Sequence, residues 1–156
     1  MNATGLPELD STLQKTAIWL KEIMAELESQ DRHLAYLALR STLHALRDRL
    51  PIEEAVHLGA QLPLLIRGVY YEGWRVADKP LKEHRAEFLG AISRYFRDTA
   101  PDPERVARAV FKVLEHHVTA GEIEDVRQLL PRDLRDLWPE EEACAPAFRA
   151  GSPARP

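Results

Sequence analysis

Apolar residues recur every three or four positions along most of the chain, which is the period of an amphipathic α-helix. The first such stripe is Leu13, Ala17, Leu20, Met24 and Leu27. The second is Tyr36, Leu39, Leu43, Leu46 and Leu50. Prolines separate the stripes, because the residue before a proline avoids the helical region and proline itself fits a first helical turn. The pattern therefore predicts helices throughout.

Start and stop signals divide this pattern into separate helices. Ser11 and Gln14 have the spacing of a capping box, so we predict that the first helix starts at Asp10-Ser11. Asp31 is the predicted N-cap of the second helix, and Pro51 ends it. Further helices are predicted at about 52–62, 63–71, 88–95, 107–118, 120–130 and from 131, with loops at 72–80 and 98–103.

The two halves of the chain match each other at one constant offset without a gap. Heptad-like spacing alone would align apolar residues by chance, but charged residues and a proline align as well. These matches are Arg40 with Arg108, Glu54 with Glu122, Pro63 with Pro131 and Arg67 with Arg135. A unit of about 65 residues buries little core alone, so we predict that two copies pack around a pseudo-twofold axis.

The predicted fold class is all-α, a compact helical bundle built from two tandem duplicated units of three to four helices each. We predict an N-terminal arm over residues 1–10 and the duplicated domain over 11–139. Within that domain, unit one spans about 11–72, a linker spans 72–80, and unit two spans about 81–139. Residues 140–156 contain Glu, Ala and Pro with almost no large apolar residue, which predicts a disordered tail.

Charge and cysteine content narrow the class of partner. The 156 residues carry a net charge of −4 and a pI near 5.9, which gives no broad attraction to a phosphate backbone or an anionic membrane. The chain start lacks a basic and apolar leader, and no apolar run is long enough to span a bilayer. The single cysteine, Cys144, cannot form an internal disulfide. We expect a cytoplasmic protein with an unknown protein partner or self-association and without membrane contact.

Glu54 and His57 form a Glu-x-x-His pair on one helix face, as in helical-bundle metal proteins. The matching positions in the second half are Glu122 and Asp125, so a pseudo-twofold axis would bring four metal ligands together. The competing interpretation is helix capping, because Glu122 stands three residues after Thr119 and acidic residues favour a first helical turn. We favour capping, and with it no cofactor.

A second group of candidates lies around the first Leu-Pro turn. Arg67 and Arg135 are matched between the halves and would either clamp an anionic ligand or satisfy helix-end carbonyls, and we favour the second role. Tyr71 and Trp74 are the candidate anchors for a protein partner, because Tyr and Trp are enriched at interface hot spots. Tyr70 aligns with Trp138, which favours a core position for Tyr70.

The remaining histidines give no catalytic site. His116 and His117 are adjacent, so we expect them to point to different faces of a helix and not to chelate one ion. His44 and Asp48 are four residues apart and are predicted to form a surface pair. There is no glycine-rich phosphate loop or cysteine-based zinc spacing either, so we predict no catalytic residue.

Three segments carry a family resemblance. They are Leu-Arg-Ser-Thr-Leu-His-Ala-Leu-Arg-Asp-Arg-Leu-Pro-Ile-Glu-Glu-Ala, Leu-Gly-Ala-Gln-Leu-Pro and Thr-Ala-Gly-Glu-Ile-Glu-Asp-Val-Arg-Gln-Leu-Leu-Pro, with Tyr-Tyr-Glu-Gly-Trp between the halves. Over about residues 12–139 the chain resembles DUF2267, a bacterial family of uncharacterised proteins. The resemblance implies a helical bacterial protein and transfers no catalytic residue, and the tail after Pro139 departs from the family.

We therefore predict a non-enzymatic interaction or scaffold module that presents an aromatic and arginine surface over residues 62–74. The alternative is a metal-binding protein or metal-dependent enzyme that uses the four acidic and histidine positions. A second alternative is nucleic-acid binding through Arg40, Arg47, Arg49 and the arginines of the second half, because duplicated helices concentrate charge that the net total hides.

Overall fold

The computed structural model describes residues 3–82, 84–97 and 101–139. Within these ranges the chain forms helices and no strand, which confirms the predicted all-α class. The helices are α1 Pro7–Glu26, α2 Arg32–Arg49, α3 Ile52–Ala60, α4 Leu64–Tyr71, α5 Arg85–Ser93, α6 Pro103–His117, α7 Ala120–Leu129 and α8 Arg132–Arg135. The predicted tail, 140–156, lies outside the described residues.

Helix α2 is the centre of the bundle and contacts α1, α4, α5 and α6. Its predicted stripe is confirmed from Leu39 to Leu50, and the cap is confirmed because Asp31 accepts a hydrogen bond from the backbone N–H of Leu34. Apolar residues from α1 to the segment after α8 form one core with this helix. None of the described helices combines the length and apolarity needed to cross a membrane.

The surface pair predicted for His44 and Asp48 is wrong, because His44 is buried, as is Arg47 on the same helix. The Nε2 of His44 lies 2.6 Å from the carbonyl oxygen of Val69, so this nitrogen carries the proton and donates it. The Nδ1 then accepts from the hydroxyl of Tyr95 at 2.7 Å. Burial lowers the pKa of His44, in agreement with a neutral ring. His44 is therefore a satisfied core residue and not half of a surface pair.

The start and the buried face of α1 also differ from the prediction. The helix begins at Pro7, four residues before Ser11, and Asp10 accepts hydrogen bonds from Thr4 instead of capping. The predicted stripe residue Leu13 is exposed, whereas Trp19 and Ile23 are buried. Because α1 packs against α2, α4 and α6 together, the face that carries the large Trp19 ring takes the core position.

Tyr70 and Trp138 are both buried, which confirms the core position predicted for Tyr70. The hydroxyl of Tyr70 donates a hydrogen bond of 2.6 Å to the carbonyl of Ala55, and Trp138 stacks on Phe111 with ring centroids 4.1 Å apart. Tyr70 thus packs the last turn of α4 against the core, and Trp138 does the same for the segment after α8.

Gly59 of α3 lets the ring of Tyr71 pack directly on the helix. A Cβ atom at Gly59 would lie 2.2 Å from the Tyr71 hydroxyl oxygen, whereas a Cβ at Gly68 of α4 meets no atom within 4 Å. Alanine is otherwise the better helix former by about 1 kcal/mol. Whether alanine at Gly59 raises or lowers the free energy of unfolding therefore depends on the side chain at position 71.

We expect Gly59→Ala to lower the free energy of unfolding by about 1 kcal/mol in the native background, because Tyr71 must move. In a Tyr71→Leu background the same change should raise it by about 0.5–1 kcal/mol. Urea unfolding of the four proteins measures both effects. Gly68→Ala is the control and should be stabilising in both backgrounds; an equal effect of Gly59→Ala in both would contradict the contact.

Candidate metal centre

The contact between α3 and α7 joins two helices that carry a glutamate at the same place. Glu54 is the third residue of α3, after the N-cap Pro51, and Glu122 is the third residue of α7, after the N-cap Thr119. A negative charge is favourable there because the free N–H groups of a first turn carry positive partial charge. Local helix electrostatics therefore explains why each position accepts an acidic residue.

The capping box predicted at Thr119 forms only in part. The Thr119 hydroxyl accepts a hydrogen bond from the backbone N–H of Glu122 at 3.4 Å. The backbone N–H of Thr119, however, donates to the side-chain oxygen of Gln61 at 3.0 Å and not to Glu122. The carboxyl group of Glu122 is thus free of the helix end and contacts the carboxyl group of Glu54.

Three carboxyl groups meet at this contact. Glu54, Glu122 and Asp125 each place one oxygen within 4.8 Å of the other two, and we call them the carboxylate cluster. Glu122 is 8% exposed and the side chain of Glu54 is 12% exposed, while Asp125 is exposed to solvent. Among the described residues, the Oε1 atoms of Glu54 and Glu122 have no hydrogen-bond partner. In the carboxylate cluster, Glu54 and Glu122 are therefore largely buried and each has an oxygen without a hydrogen-bond partner, whereas Asp125 lies on the side that faces solvent.

His57, the fourth predicted ligand, lies at the edge of the carboxylate cluster. Its Nδ1 is 3.9 Å from an oxygen of Glu54, and its side chain is 69% exposed. The structure thus brings together three of the four predicted metal ligands and places the imidazole beside them, outside the group of three oxygens.

Burial raises the pKa of Glu122 to about 8. A hydrogen bond with Glu54 and the negative charges of Glu54 and Asp125 act in the same direction. Two carboxyl groups in one poorly solvated space cannot both carry a negative charge without a large cost. At neutral pH, Glu122 therefore keeps its proton and shares it with Glu54.

Arg67 and Arg135 both satisfy helix-end carbonyls, the role favoured from the sequence. Arg67 donates from Nε to Gly59 at 2.8 Å and from Nη2 to Ala60 and Leu62 at 3.2 and 2.9 Å. Arg135 makes the matching contacts after α7, donating to the carbonyls of Gln128 and Leu130 at 2.9 Å each. Both guanidinium groups thus close the C-terminal end of the preceding helix.

Tyr71 and Trp74, the predicted partner anchors, are half-buried and pack against the core. Their rings stack with centroids 5.6 Å apart. The exposed apolar residues of this stretch are Leu64 and Leu65, at 56% and 40% exposure. Leu64 and the exposed Ile18 of α1 line a groove of about 540 Å³. Leu64 and Leu65 lie within the predicted surface over residues 62–74, but the sequence analysis named only aromatic and arginine residues there.

Arg40, Arg47 and Arg49 each have a partner within the protein. Arg47 and Arg49 are buried, and Arg47 donates to the carbonyls of Tyr70 and Glu72 at 2.8 and 3.1 Å. Arg40 forms an ion pair of 3.0 Å with Glu72. A phosphate backbone is contacted by exposed cations, so the buried Arg47 and Arg49 do not suit such a contact, whereas nucleic-acid binding through the arginines of the second half stays a prediction.

The raised pKa of Glu122 makes stability depend on pH. Between pH 4.5, the ordinary pKa, and about 8, the folded protein holds this proton and the unfolded chain does not. Unfolding then releases a proton, so the free energy of unfolding falls as pH rises, by at most about 1.4 kcal/mol per pH unit. Glu122→Gln removes this dependence. We expect the variant to match the native protein at pH 5 and to exceed it in stability at pH 8.

Urea unfolding at pH 5, 6, 7 and 8 with a chelator present measures the difference in the free energy of unfolding between Glu122→Gln and the native protein. Glu124→Gln is a matched control, because Glu124 lies on the same helix, is exposed and contacts only Gln128 among the bonds described for its side chain. Its stability should follow that of the native protein at each pH. Parallel curves for Glu122→Gln and the native protein would contradict the shared proton.

A comparison with protein families agrees with the resemblance seen in the sequence. The family described as an uncharacterized conserved protein, DUF2267, matches residues 16–137, from within α1 to the segment after α8. The search of curated proteins found no match. Because the matched region covers most of the chain, the chain belongs to the DUF2267 family. The residues of the carboxylate cluster lie within the matched region.

Proposed function

We propose that this DUF2267 protein binds a divalent cation in the carboxylate cluster. The observation that carries the proposal is the burial of Glu122 with an unpaired oxygen beside Glu54. Burying an ionised carboxylate is costly unless a proton, a cation or hydrogen bonds compensate the charge, and the Oε1 atoms of Glu54 and Glu122 have no other partner among the described residues. A cation between the two glutamates would satisfy both unpaired oxygens at once.

The ligand set favours a hard cation of the Mg²⁺, Ca²⁺ and Mn²⁺ class. All three groups of the cluster are carboxylates, and carboxylate oxygens suit these ions better than they suit softer metals. Asp125 and His57 lie on the exposed side, where water can complete the coordination. We propose binding and not catalysis, because the neighbouring polar groups of Thr119 and Gln61 are used at the start of α7.

The proposed duplication explains why such a site would arise. Glu54 and Glu122 occupy equivalent helix positions, and Arg67 and Arg135 are separated by the same offset and make matching carbonyl contacts. These parallels support two tandem units over about 11–72 and 81–139. A residue near the pseudo-twofold axis of such a pair meets its own copy, so one acidic position in the ancestral unit yields two facing carboxylates.

We expect the native protein to bind one equivalent of Mn²⁺ in the cluster. Glu54→Gln and Glu122→Gln should each weaken the affinity at least about tenfold, because each removes a charged ligand from a poorly solvated site. The loss of the free-ion signal in electron paramagnetic resonance titrations measures the affinity. Glu53→Gln and Glu124→Gln are exposed neighbours and should bind as the native protein does. Equal Mn²⁺ affinity in all five proteins, or none in the native protein, would contradict the proposal.

The affinity should also depend on pH, because the cation replaces the proton of Glu122. From pH 6 to about 8 the Mn²⁺ affinity should rise by up to about tenfold per pH unit, and it should level off above pH 8. The same titrations in chelator-free buffers at each pH provide the measurement. An affinity that does not change between pH 6 and pH 8 would contradict a shared proton at the binding site.

Protein interaction through residues 62–74 is a second candidate function. The observation that favours it is the exposure of the apolar side chains of Leu64 and Leu65 on α4, with Leu64 lining a groove together with the exposed Ile18 of α1. The predicted interface residues of this stretch, Arg67, Tyr71 and Trp74, would hold the exposed leucines in position. Arg135 is the residue that corresponds to Arg67 in the second unit. We propose a second copy of the chain as the partner, because most homo-oligomers are dimers that pair the same surface patch of each subunit across a twofold axis.

We expect the native protein to sediment as a dimer and the Leu64→Ser, Leu65→Ser double variant to sediment as a monomer, because the variant loses most of the apolar contact area. Sedimentation velocity over a range of concentrations measures the mass. Leu129→Ser is the control, since Leu129 is similarly exposed but lies on α7. A native protein that remains monomeric at all concentrations would contradict self-association.

A further inference from the structure

We infer that the protein carries a second metal site, for a transition metal such as Zn²⁺, between α1 and α6. Its ligands are Glu22 of α1 and the adjacent pair His116 and His117 at the end of α6. The site is separate from the carboxylate cluster, which lies between α3 and α7. It goes beyond the function proposed above and does not depend on it.

The two adjacent histidines reach the same carboxylate by using different ring nitrogens. The Nδ1 of His116 lies 3.1 Å from Oε1 of Glu22, and the Nε2 of His117 lies 2.6 Å from Oε2. Nδ1 is near the backbone and Nε2 is at the far end of the ring. The two histidines therefore reach the carboxyl group of Glu22 from different distances along their side chains. The expectation that neighbouring helical histidines diverge is therefore wrong for this pair.

The spacing of the three ligand atoms fits a tetrahedral zinc ion after small side-chain adjustments. One atom from each residue lies within 4.8 Å of the other two. Ligands about 2.0–2.1 Å from a tetrahedral ion are separated from one another by about 3.3–3.5 Å. Two imidazoles and one carboxylate leave the fourth position to water, as in three-ligand zinc sites.

Trp19 holds one of the ligands in place. Its ring is buried and stacks on the imidazole of His117, with centroids 4.8 Å apart and planes 16° apart. Glu22 follows Trp19 by three residues, so both lie on the same side of α1. His117 and Glu22 are partly buried while His116 is exposed, which leaves a path for an ion from solvent. Two of the three ligands are thus positioned before an ion arrives.

The chemistry of this site differs from that of the carboxylate cluster. Imidazole nitrogens favour Zn²⁺, Ni²⁺ and Cu²⁺ over Mg²⁺ and Ca²⁺. A bound ion would also tie α1 to α6, next to an existing ion pair in which Lys112 lies 3.0 Å from Glu26. Since an ion that binds only the folded chain stabilises it, zinc should raise the thermal midpoint.

The test is a calorimetric titration of the full chain with Zn²⁺. Three variants remove one ligand each, namely Glu22→Gln, His116→Asn and His117→Gln. The amide of Asn imitates Nδ1 and that of Gln imitates Nε2, so the contacts between α1 and α6 are retained without a metal-binding nitrogen. We expect one equivalent of Zn²⁺ in the native protein and an affinity at least about tenfold weaker in each variant.

Two control variants identify the site. Glu26→Gln removes the neighbouring ion pair between the same helices, and Glu122→Gln alters the carboxylate cluster. Both should bind Zn²⁺ as the native protein does, and zinc should raise the thermal midpoint of both and of the native protein but not that of Glu22→Gln. Zinc binding that survives all three ligand variants, that is lost only in Glu122→Gln, or that is missing in the native protein would overturn the inference. A failure of Mn²⁺ binding at the carboxylate cluster would leave these outcomes unchanged.

Discussion

Glu54 and Glu122 share one poorly solvated space where α3 meets α7, and this contact constrains the charge that the two helices can carry there. Two carboxylates cannot both be ionised in that space without a large cost, so the two groups keep a proton between them, and in the proposed function a cation replaces that proton. The packing of the two helices brings the carboxyl groups together. The proposal therefore links proton affinity, metal affinity and stability at one site.

The rest of the bundle supplies a rigid frame for this contact. Arg67 and Arg135 donate to carbonyls at the C-terminal ends of α3 and α7, opposite to the first turns that carry Glu54 and Glu122. Tyr70 donates to the carbonyl of Ala55, directly after Glu54, and so ties α4 to the same turn. Arg67 and Arg135, two of the residues predicted for the partner surface, thus contact the protein's own backbone.

Much of this arrangement was predictable from local sequence rules. Prolines and caps placed α2, α3 and α4 within about two residues of their observed bounds, because these signals act through neighbouring backbone. The constant offset between the halves related Glu54 to Glu122, and the same offset related His57 to Asp125. All four candidate ligands were therefore named from the sequence, and the structure brings carboxyl oxygens of three of them together, namely Glu54, Glu122 and Asp125.

The errors arose where contacts between distant segments decide the outcome. His44 and Arg47 look polar on a helix diagram, but Val69, Tyr70 and Tyr95 come from elsewhere in the chain to satisfy them. The buried face of α1 is selected by three other helices and not by its own stripe. The cluster of Glu22 with His116 and His117 joins distant parts of the chain, and it depends on which ring nitrogen each histidine presents.

A cation that displaces the proton shared by Glu54 and Glu122 must release that proton on binding, and counting released protons tests this exchange most directly. Calorimetric titration of Mn²⁺ at pH 7 in buffers of different ionisation enthalpy gives the number of protons released per bound ion. With the pKa of Glu122 at about 8, we expect close to one proton per ion, falling toward zero above pH 9 and in Glu122→Gln. Binding at pH 7 without proton release would contradict the exchange.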